Sequence, residues 1–425
     1  MKNIRWLAFA ALAMLALAGC HNGGRGQDTT NLRVVNAVLD AEPLDVLISD
    51  NVKESAVPLD TASSYANFGS GTLDTKIRSS TQGGAVLLEK SITYSSDLDQ
   101  TLVLFGKRSA IQFLLLTDDV APPSSGHFKV RGVGLSPDAG AVDIYFAQGP
   151  IDTATPNLAG VGYSLLIDYV EIPSGNYQII FTTAGTKDVV FTAASQSFAN
   201  GAILTLSVMP SAGGKLVNAL LTTSNVGGGT FMGNPLSRVK AVNAEPDAPT
   251  LNFKVDGTVL LSNVPFTGSS TYVTTAAGDH SAQVEASSVP GSNIATAAKT
   301  FVPARDYTVV AANSYSQPQL IVLDDDNTLP ATGLGKVRFV NAMVGGSAVD
   351  VLVDFASQVA GLQYGQASTY FSIAGGTTYT MSFATAGGVT LLATLDAAEV
   401  DAGGVYTAYL FGTPSSPQAK LVRDR

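Results

Sequence analysis

The chain has 425 residues, 24 basic and 34 acidic side chains and a formal net charge of −10, with only 14% of residues charged. This balance argues against nucleic-acid binding and against electrostatic adsorption to anionic lipid. A lone cysteine excludes an internal disulfide and a thiolate metal site, so the domains must be held by apolar cores.

The first elements belong to export. Lys2 and Arg5 form a positive n-region, and Trp6 to Leu17 is an apolar run too short to span a bilayer. It ends in Leu17-Ala18-Gly19-Cys20. Small residues before the cut admit the backbone to a peptidase, and the thiol of Cys20 is a nucleophile for lipid. The segment resembles a bacterial lipoprotein signal, which implies lipid attachment at Cys20, removal of residues 1–19 and anchorage in the cell envelope. By the same resemblance, His21 stands where an Asp would retain the protein at the inner membrane, which favours the outer membrane. Residues 20–31 hold no large apolar side chain and read as a Gly-rich tether with a reach of roughly 15–20 Å.

A block of roughly a hundred residues then recurs, which suggests an array of similar folded units. Four strands open the blocks: Leu32-Arg33-Val34-Val35-Asn36-Ala37, Phe128-Lys129-Val130-Arg131-Gly132-Val133, Ser237 to Ala244, and Lys336-Val337-Arg338-Phe339-Val340-Asn341-Ala342. Asp45-Val46-Leu47, Asp143-Ile144-Tyr145 and Asp350-Val351-Leu352 follow in three blocks, with Asn252-Phe253-Lys254-Val255 in the third. Each block then carries a tyrosine: Tyr65, Tyr169, Tyr272 and Tyr370. Alternating runs such as Tyr177, Ile179 and Phe181 end at the turns Ala184-Gly185 and Ala386-Gly387. A later strand includes Leu102-Val103-Leu104-Phe105 in the first block and Tyr406 to Leu410 in the last, and Lys215-Leu216-Val217 closes the second.

About seven short period-two strands per block predict an antiparallel β-sandwich. The expected architecture is all-β, a tandem array of four immunoglobulin-like sandwiches at residues 32–121, 127–225, 236–327 and 335–425. Ala121-Pro122-Pro123-Ser124-Ser125-Gly126 and Thr328 to Gly335 read as short links. Gly227-Gly228-Gly229 up to Asn234-Pro235 reads as the loosest joint of a string with limited bending.

The whole pattern resembles the bacterial DUF4397 family. The fourth block carries its marks as Arg338-Phe339-Val340-Asn341-Ala342, Asp350-Val351-Leu352-Val353, and Thr369-Tyr370 before Ala374-Gly375; Asp324-Asp325-Asp326 in the third matches the acidic exit. The second block departs most, with Gly132-Val133 in place of Asn-Ala. The resemblance implies a repeated envelope domain and brings no established activity.

Catalytic groups are sparse. Of the histidines, His21 lies in the tether, His127 beside the Pro-Pro link, and His280 in a slot filled elsewhere by Tyr or Leu. No Gly-x-Ser-x-Gly elbow accompanies them. Asp324 and Asp326, with Asp118 or Asp119, offer weak calcium candidates, but the spacing lacks the EF-hand loop; an exit turn is the simpler reading. Tyr65, Tyr169, Tyr272 and Tyr370 read either as structural plugs with bonded hydroxyls or as an aromatic row for a ligand. The sole Trp is in the leader, which weakens a saccharide platform. The expectation is therefore a non-catalytic lipid-anchored envelope spacer or interaction scaffold, without cofactor or nucleic acid. Its partners would be the membrane and an envelope protein or polymer. A surface module for saccharide or peptide is the alternative, and a carboxylate-dependent hydrolase the least favoured reading.

Overall fold

The computed structural model describes residues 28–81, 84–388 and 390–425, so Cys20 and the leader lie outside the described residues. Among the described residues every regular element is a β-strand. They form four successive sandwiches of two sheets each, as the strand pattern predicts.

In the first sheet of each repeat the opening strand is central (Thr29–Val38, His127–Gly134, Leu236–Asn243, Leu334–Asn341). It pairs parallel with a penultimate strand (Asp99–Lys107, Ile203–Met209, Asp306–Ser314, Val405–Thr413). That strand turns back into an antiparallel closing strand (Ala110–Thr117, Asn218–Thr223, Gln317–Asp325, Ser416–Arg423). Each sandwich is therefore antiparallel except for one parallel ladder, where the beginning and end of the repeat meet in one sheet. The second sheet is built on the Asp-x strand (Leu44–Ile48, Val142–Ala147, Leu251–Val255, Val349–Val353).

The recurrent acid of that strand is a backbone clamp. Asp45, Asp143 and Asp350 accept, through Oδ1, the N–H of Ala56, Gly160 and Gly361 at 2.8, 2.8 and 2.7 Å. Asn252 accepts that of Asn263 at 3.0 Å. All four donors have positive φ and sit beside a register shift in the edge hairpin. A bulge leaves its extra N–H without a ladder partner, and the carboxylate or amide oxygen supplies one. The second oxygens of Asp143 and Asp350 accept from Gly185 and Gly387 at 2.8 Å each, so the Ala-Gly turns are the other half of the clamp. Asn36, Asn243 and Asn341 do similar work between sheets. Their amides donate to the carbonyls of Val57, Val264 and Leu362 at 3.0, 3.1 and 3.0 Å.

The first sheets are buried on both faces. Leu32, Val34, Leu102 and Leu104 point into the core of repeat 1. Their neighbours Val35, Ala37, Val103 and Phe105 meet Val133, Leu135, Met209 and Leu220 of repeat 2. Repeats 3 and 4 pack alike, Val242, Ala244, Val310 and Ala312 against Val340, Ala342, Tyr409 and Phe411. A sheet apolar on both faces would expose a large patch if it stood alone. The four sandwiches of the expected tandem array are thus grouped as two face-to-face pairs.

The middle joint is also tighter than its composition suggests. Thr230–Met232, inside the expected soft link, adds an edge strand to repeat 2, which extends past the predicted boundary at 225. The Gly228 N–H donates to the Ser63 carbonyl of repeat 1 at 2.8 Å, and Asn234 donates to the carbonyls of Val190 and Val217 at 2.6 and 2.7 Å. Ala304 of repeat 3 joins the repeat 2 core, and a Cβ on Gly213 would stand 2.0 Å from its carbonyl oxygen. The glycines allow backbones to touch rather than hinge. At the other end, Thr29–Leu32 pairs with Ala66–Gly69, so the tether stops short of residue 29 rather than at 31. Repeat 2 closes with Asn218–Thr223, while Leu216 and Val217 enter the core. Arg131 faces Thr205 as Arg33 faces Thr101, so Gly134-Leu135, not Gly132-Val133, occupies the Asn-Ala position.

Candidate functional site

The polar residues that recur in each repeat converge between paired first sheets. Arg33, Arg131, Lys240 and Arg338 sit mid-way along the opening strands, opposite Thr101, Thr205, Thr308 and Thr407. Arginine Nε donates to the threonine hydroxyl at 3.0, 2.8 and 2.9 Å in repeats 1, 2 and 4. The tyrosines lie over these cations: Tyr65 on Arg33, Tyr169 on Arg131, Tyr272 on Lys240 and Tyr370 on Arg338, at 4.9, 5.0, 5.2 and 4.8 Å. Beyond the closing strand or at its last residue stands an acid, Asp118, Asp325 or Asp424, with its side chain closed to solvent. The Tyr65 and Tyr272 hydroxyls donate to Asp118 and Asp325 at 2.5 and 2.6 Å, and Tyr370 reaches Asp424 at 3.5 Å.

These groups cross the interface. Arg338 of repeat 4 pairs with Asp325 of repeat 3, and Lys240 of repeat 3 pairs with Asp424 of repeat 4. Two cations face two anions in a reciprocal arrangement. In the first pair, Arg131 of repeat 2 reaches Asp118 of repeat 1 at 2.8 Å, but repeat 2 has Ser224 where the acid should stand. Arg33 therefore shares Asp118 at 3.1 Å and sends Nη1 to the carbonyls of Thr223 and Val226 at 2.8 Å each. The same vacancy leaves the buried Tyr169 hydroxyl without the acid that Tyr65 and Tyr272 bond.

The electrostatics follow from burial and pairing. Burial opposes the charge on Lys240, and the Asp424 carboxylate outweighs it, so the ammonium titrates above its usual range. Burial likewise opposes ionisation of Asp325, but Arg338 and Lys240 hold its carboxyl below the usual value. Burial, then the neighbouring acids, push the Tyr272 phenol well above its ordinary value. With neutral tyrosines and threonines around paired ions, the arrangement binds one repeat to the next and presents no free nucleophile.

Other sequence candidates lie elsewhere. Asp324 pairs with Lys299 at 3.0 Å, and Asp326 with Lys336 at 2.9 Å and the Thr328 hydroxyl at 2.6 Å. Among the described residues no group of three or more His, Cys, Asp or Glu side chains is placed to hold a metal ion. His280 bridges Asp256 and the Ala276 carbonyl at 2.7 and 2.9 Å beside the Phe301 ring. His127 contacts the Ser125 carbonyl at 3.1 Å. Sequence reasoning singled out the tyrosines but missed their cations and threonines. The available signal was spacing: Tyr to Asp is 53, 53 and 54 residues in repeats 1, 3 and 4, and Arg to Thr is 68 and 69 in repeats 1 and 4.

The profile of DUF4397, a domain of unknown function, matches residues 30–145, 237–351 and 335–425. The chain belongs to the DUF4397 family. The Tyr recurs in all four of its repeats, and the clamp Asp, the sheet-bridging Asn and the exit Asp in three each. The stretch between the matches is most of repeat 2, the repeat that lacks both the Asn and the exit acid. Among curated proteins none matches the chain. Among the solved structures that match is the Bacillus anthracis TIE protein, at 10% identity over 90% of this chain and 68% of its own, with a TM-score of 0.16. A score that low carries no argument.

Proposed function

We propose that this protein is a non-catalytic, lipid-anchored spacer or interaction scaffold of the bacterial cell envelope, tethered through Cys20 and sorted to the outer membrane. The observation that supports it most is the fate of the recurrent polar residues. The Arg or Lys, Thr, Tyr and Asp of the repeats are spent inside pair interfaces, so repetition builds stiff two-repeat bodies rather than copies of a reactive site. A stiff body on a lipid tether holds surfaces at a set distance from a membrane. The test is crosslinking of intact cells and recovery of the tagged protein. An envelope protein or polymer recovered with the wild type, and lost together with membrane association in Cys20→Ala, is the expected result. A variant that stays in the membrane fraction, or a wild type that recovers no partner, contradicts the reading.

One observation favours a second reading, a saccharide-binding module. Repeat 2 replaces a two-residue hairpin turn with the loop Gln148–Asn157, beside adjoining clefts of about 440 and 320 Å3. Gln148, Asn176 and Gln178 supply uncharged amides there, suited to sugar hydroxyls. Saturable binding on a glycan array, lost in Gln178→Ala, is expected on this reading, and a flat response removes it.

A further inference from the structure

A cleft of about 370 Å3 opens where repeats 1, 2 and 3 meet, within the size range of ligand sites. Leu39 and Leu59 of repeat 1, Phe231 of repeat 2 and Val302 of repeat 3 give it apolar walls. Phe231 and Val302 are 45% and 50% exposed, large apolar surface left uncovered at this junction.

One wall carries Asp60, whose Oδ1 is shut off from solvent with no hydrogen-bond partner among the described residues. Burial alone raises its carboxyl from 3.8 to about 6, and no cation offsets it. Arg305, the nearby cation of the cleft, donates instead to the Ala212 carbonyl at 3.1 Å. Asp60 has a left-handed backbone, with φ 63°. The equivalent positions, whose N–H groups likewise donate to the bridging Asn carbonyl, are Thr267 and Gly365. A carboxylate is thus not needed for the turn. It stands in an apolar cleft, costs desolvation and awaits a donor.

We infer that this cleft binds a cationic side chain presented beside an apolar one by a partner polypeptide, with Asp60 receiving the cation and Phe231 and Val302 the apolar group. The inference deepens the scaffold reading by giving the partner's chemistry. Its test is independent of the lipid anchor, so failure here leaves the cell crosslinking result standing on its own.

The test uses the mature full chain and two peptides, acetyl-Phe-Lys-amide and acetyl-Phe-norleucine-amide, titrated by calorimetry at pH 7.5. The lysyl peptide should bind saturably and at least tenfold tighter than its neutral twin, a difference of about 1.4 kcal/mol. Asp60→Asn should erase that preference, and asparagine tolerates the positive φ, so the fold is kept. Phe231→Ala should weaken both peptides. Protonation of Asp60 should lower lysyl affinity as pH falls below about 6. Equal affinity for the two peptides, absence of lysyl binding, or an Asp60→Asn chain with unchanged thermal unfolding that still discriminates, overturns the inference.

Discussion

Glu245→Met should stabilise the protein at alkaline pH and flatten its pH dependence. Glu245 follows the bridging Asn243 by two residues, with its N–H on the Asn243 oxygen at 3.0 Å. Val38 and Met343 hold the same place after Asn36 and Asn341, and both are core residues. Glu245 is 0% exposed, and neither carboxyl oxygen has a partner among the described residues. Burial, then Asp247, lifts its carboxyl from 4.5 to about 7. The folded chain therefore keeps this proton to higher pH than the unfolded chain. Its stability is greatest below pH 4.5, falls as pH rises to about 7 and is flat above. At about 1.36 kcal/mol per unit, the ceiling of that loss is about 3.4 kcal/mol. Relaxation of water and side chains around the ionised group brings the expected effect to about 2 kcal/mol. Calorimetric unfolding of wild type and Glu245→Met at pH 5 and pH 8 measures it. Because several repeats need not unfold in one step, the transition to follow is the one that Asp325→Asn displaces. A variant less stable than wild type at pH 8, or one with the wild-type shift between the two pH values, refutes the reasoning.

Three further outcomes follow from the pair interfaces. Asp325→Asn leaves Arg338 and Lys240 facing one acid, and should cost about 3–5 kcal/mol by denaturant midpoint, the usual penalty for an orphaned buried charge; a loss under about 1 kcal/mol contradicts the network. Ser224→Asp restores the missing acid beside Arg33 and the Tyr169 hydroxyl, and should raise the midpoint of the first pair by about 1.5–3 kcal/mol; a lower midpoint contradicts the register. Repeats 1 and 2 expressed together should be monomeric by sedimentation, whereas repeat 1 alone, baring Val35, Ala37, Val103 and Phe105, should bind a hydrophobic dye or self-associate. A well-behaved isolated repeat 1 shows that the pairing is dispensable.

The sandwich was legible because the second sheet sends apolar side chains to the core and polar ones to its other face, where the buried Asn252 and Lys254 donate to Glu285. Leu251-Asn252-Phe253-Lys254-Val255 and its Asp256-Gly257 turn show the alternation and hairpin chemistry of that setting. The pairing was harder to read. Val34-Val35 and Leu102-Val103-Leu104-Phe105 do not alternate, because adjacent side chains enter different apolar environments. A run of apolar residues on short strands signals burial on both faces without saying what covers the second. The buried cations escaped notice for a related reason. Arg33 and Arg338 look like solvated strand residues until a tyrosine face, a threonine and an acid from distant parts of the chain surround them. The Gly-rich middle joint misled in the opposite direction, since its composition fits both a hinge and a close backbone contact, and Gly227, where a Cβ would stand 3.0 Å from Ser64 Cα, is the latter.

The departures from the repeat pattern are matched within pairs. Repeat 2 lacks the exit acid, and the residue facing that gap is Arg33, whose planar fork reaches two carbonyls and Asp118 at once. Repeat 3 carries Lys240 at the same position, a point charge with no such fork, and its partner supplies Asp424. If repeat 3 docked on repeat 2 instead, Lys240 would meet Ser224 and remain buried without an acid. If repeat 1 docked on repeat 4, Asp424 would meet Arg33 and Asp118 would meet Arg338, so that pairing is charge-matched and the discrimination falls on repeats 2 and 3. Apolar faces built from Val, Ala, Leu and Phe do little to tell one sheet from another. The cost of a stranded buried charge does, and it works against the wrong partner rather than for the right one. On this argument the exchange Lys240→Arg should leave the second pair folded while relaxing its choice of partner. A mixture of separately expressed 1–2 and 3–4 pairs, unfolded and refolded together, measures that choice by the fraction of exchanged pairs.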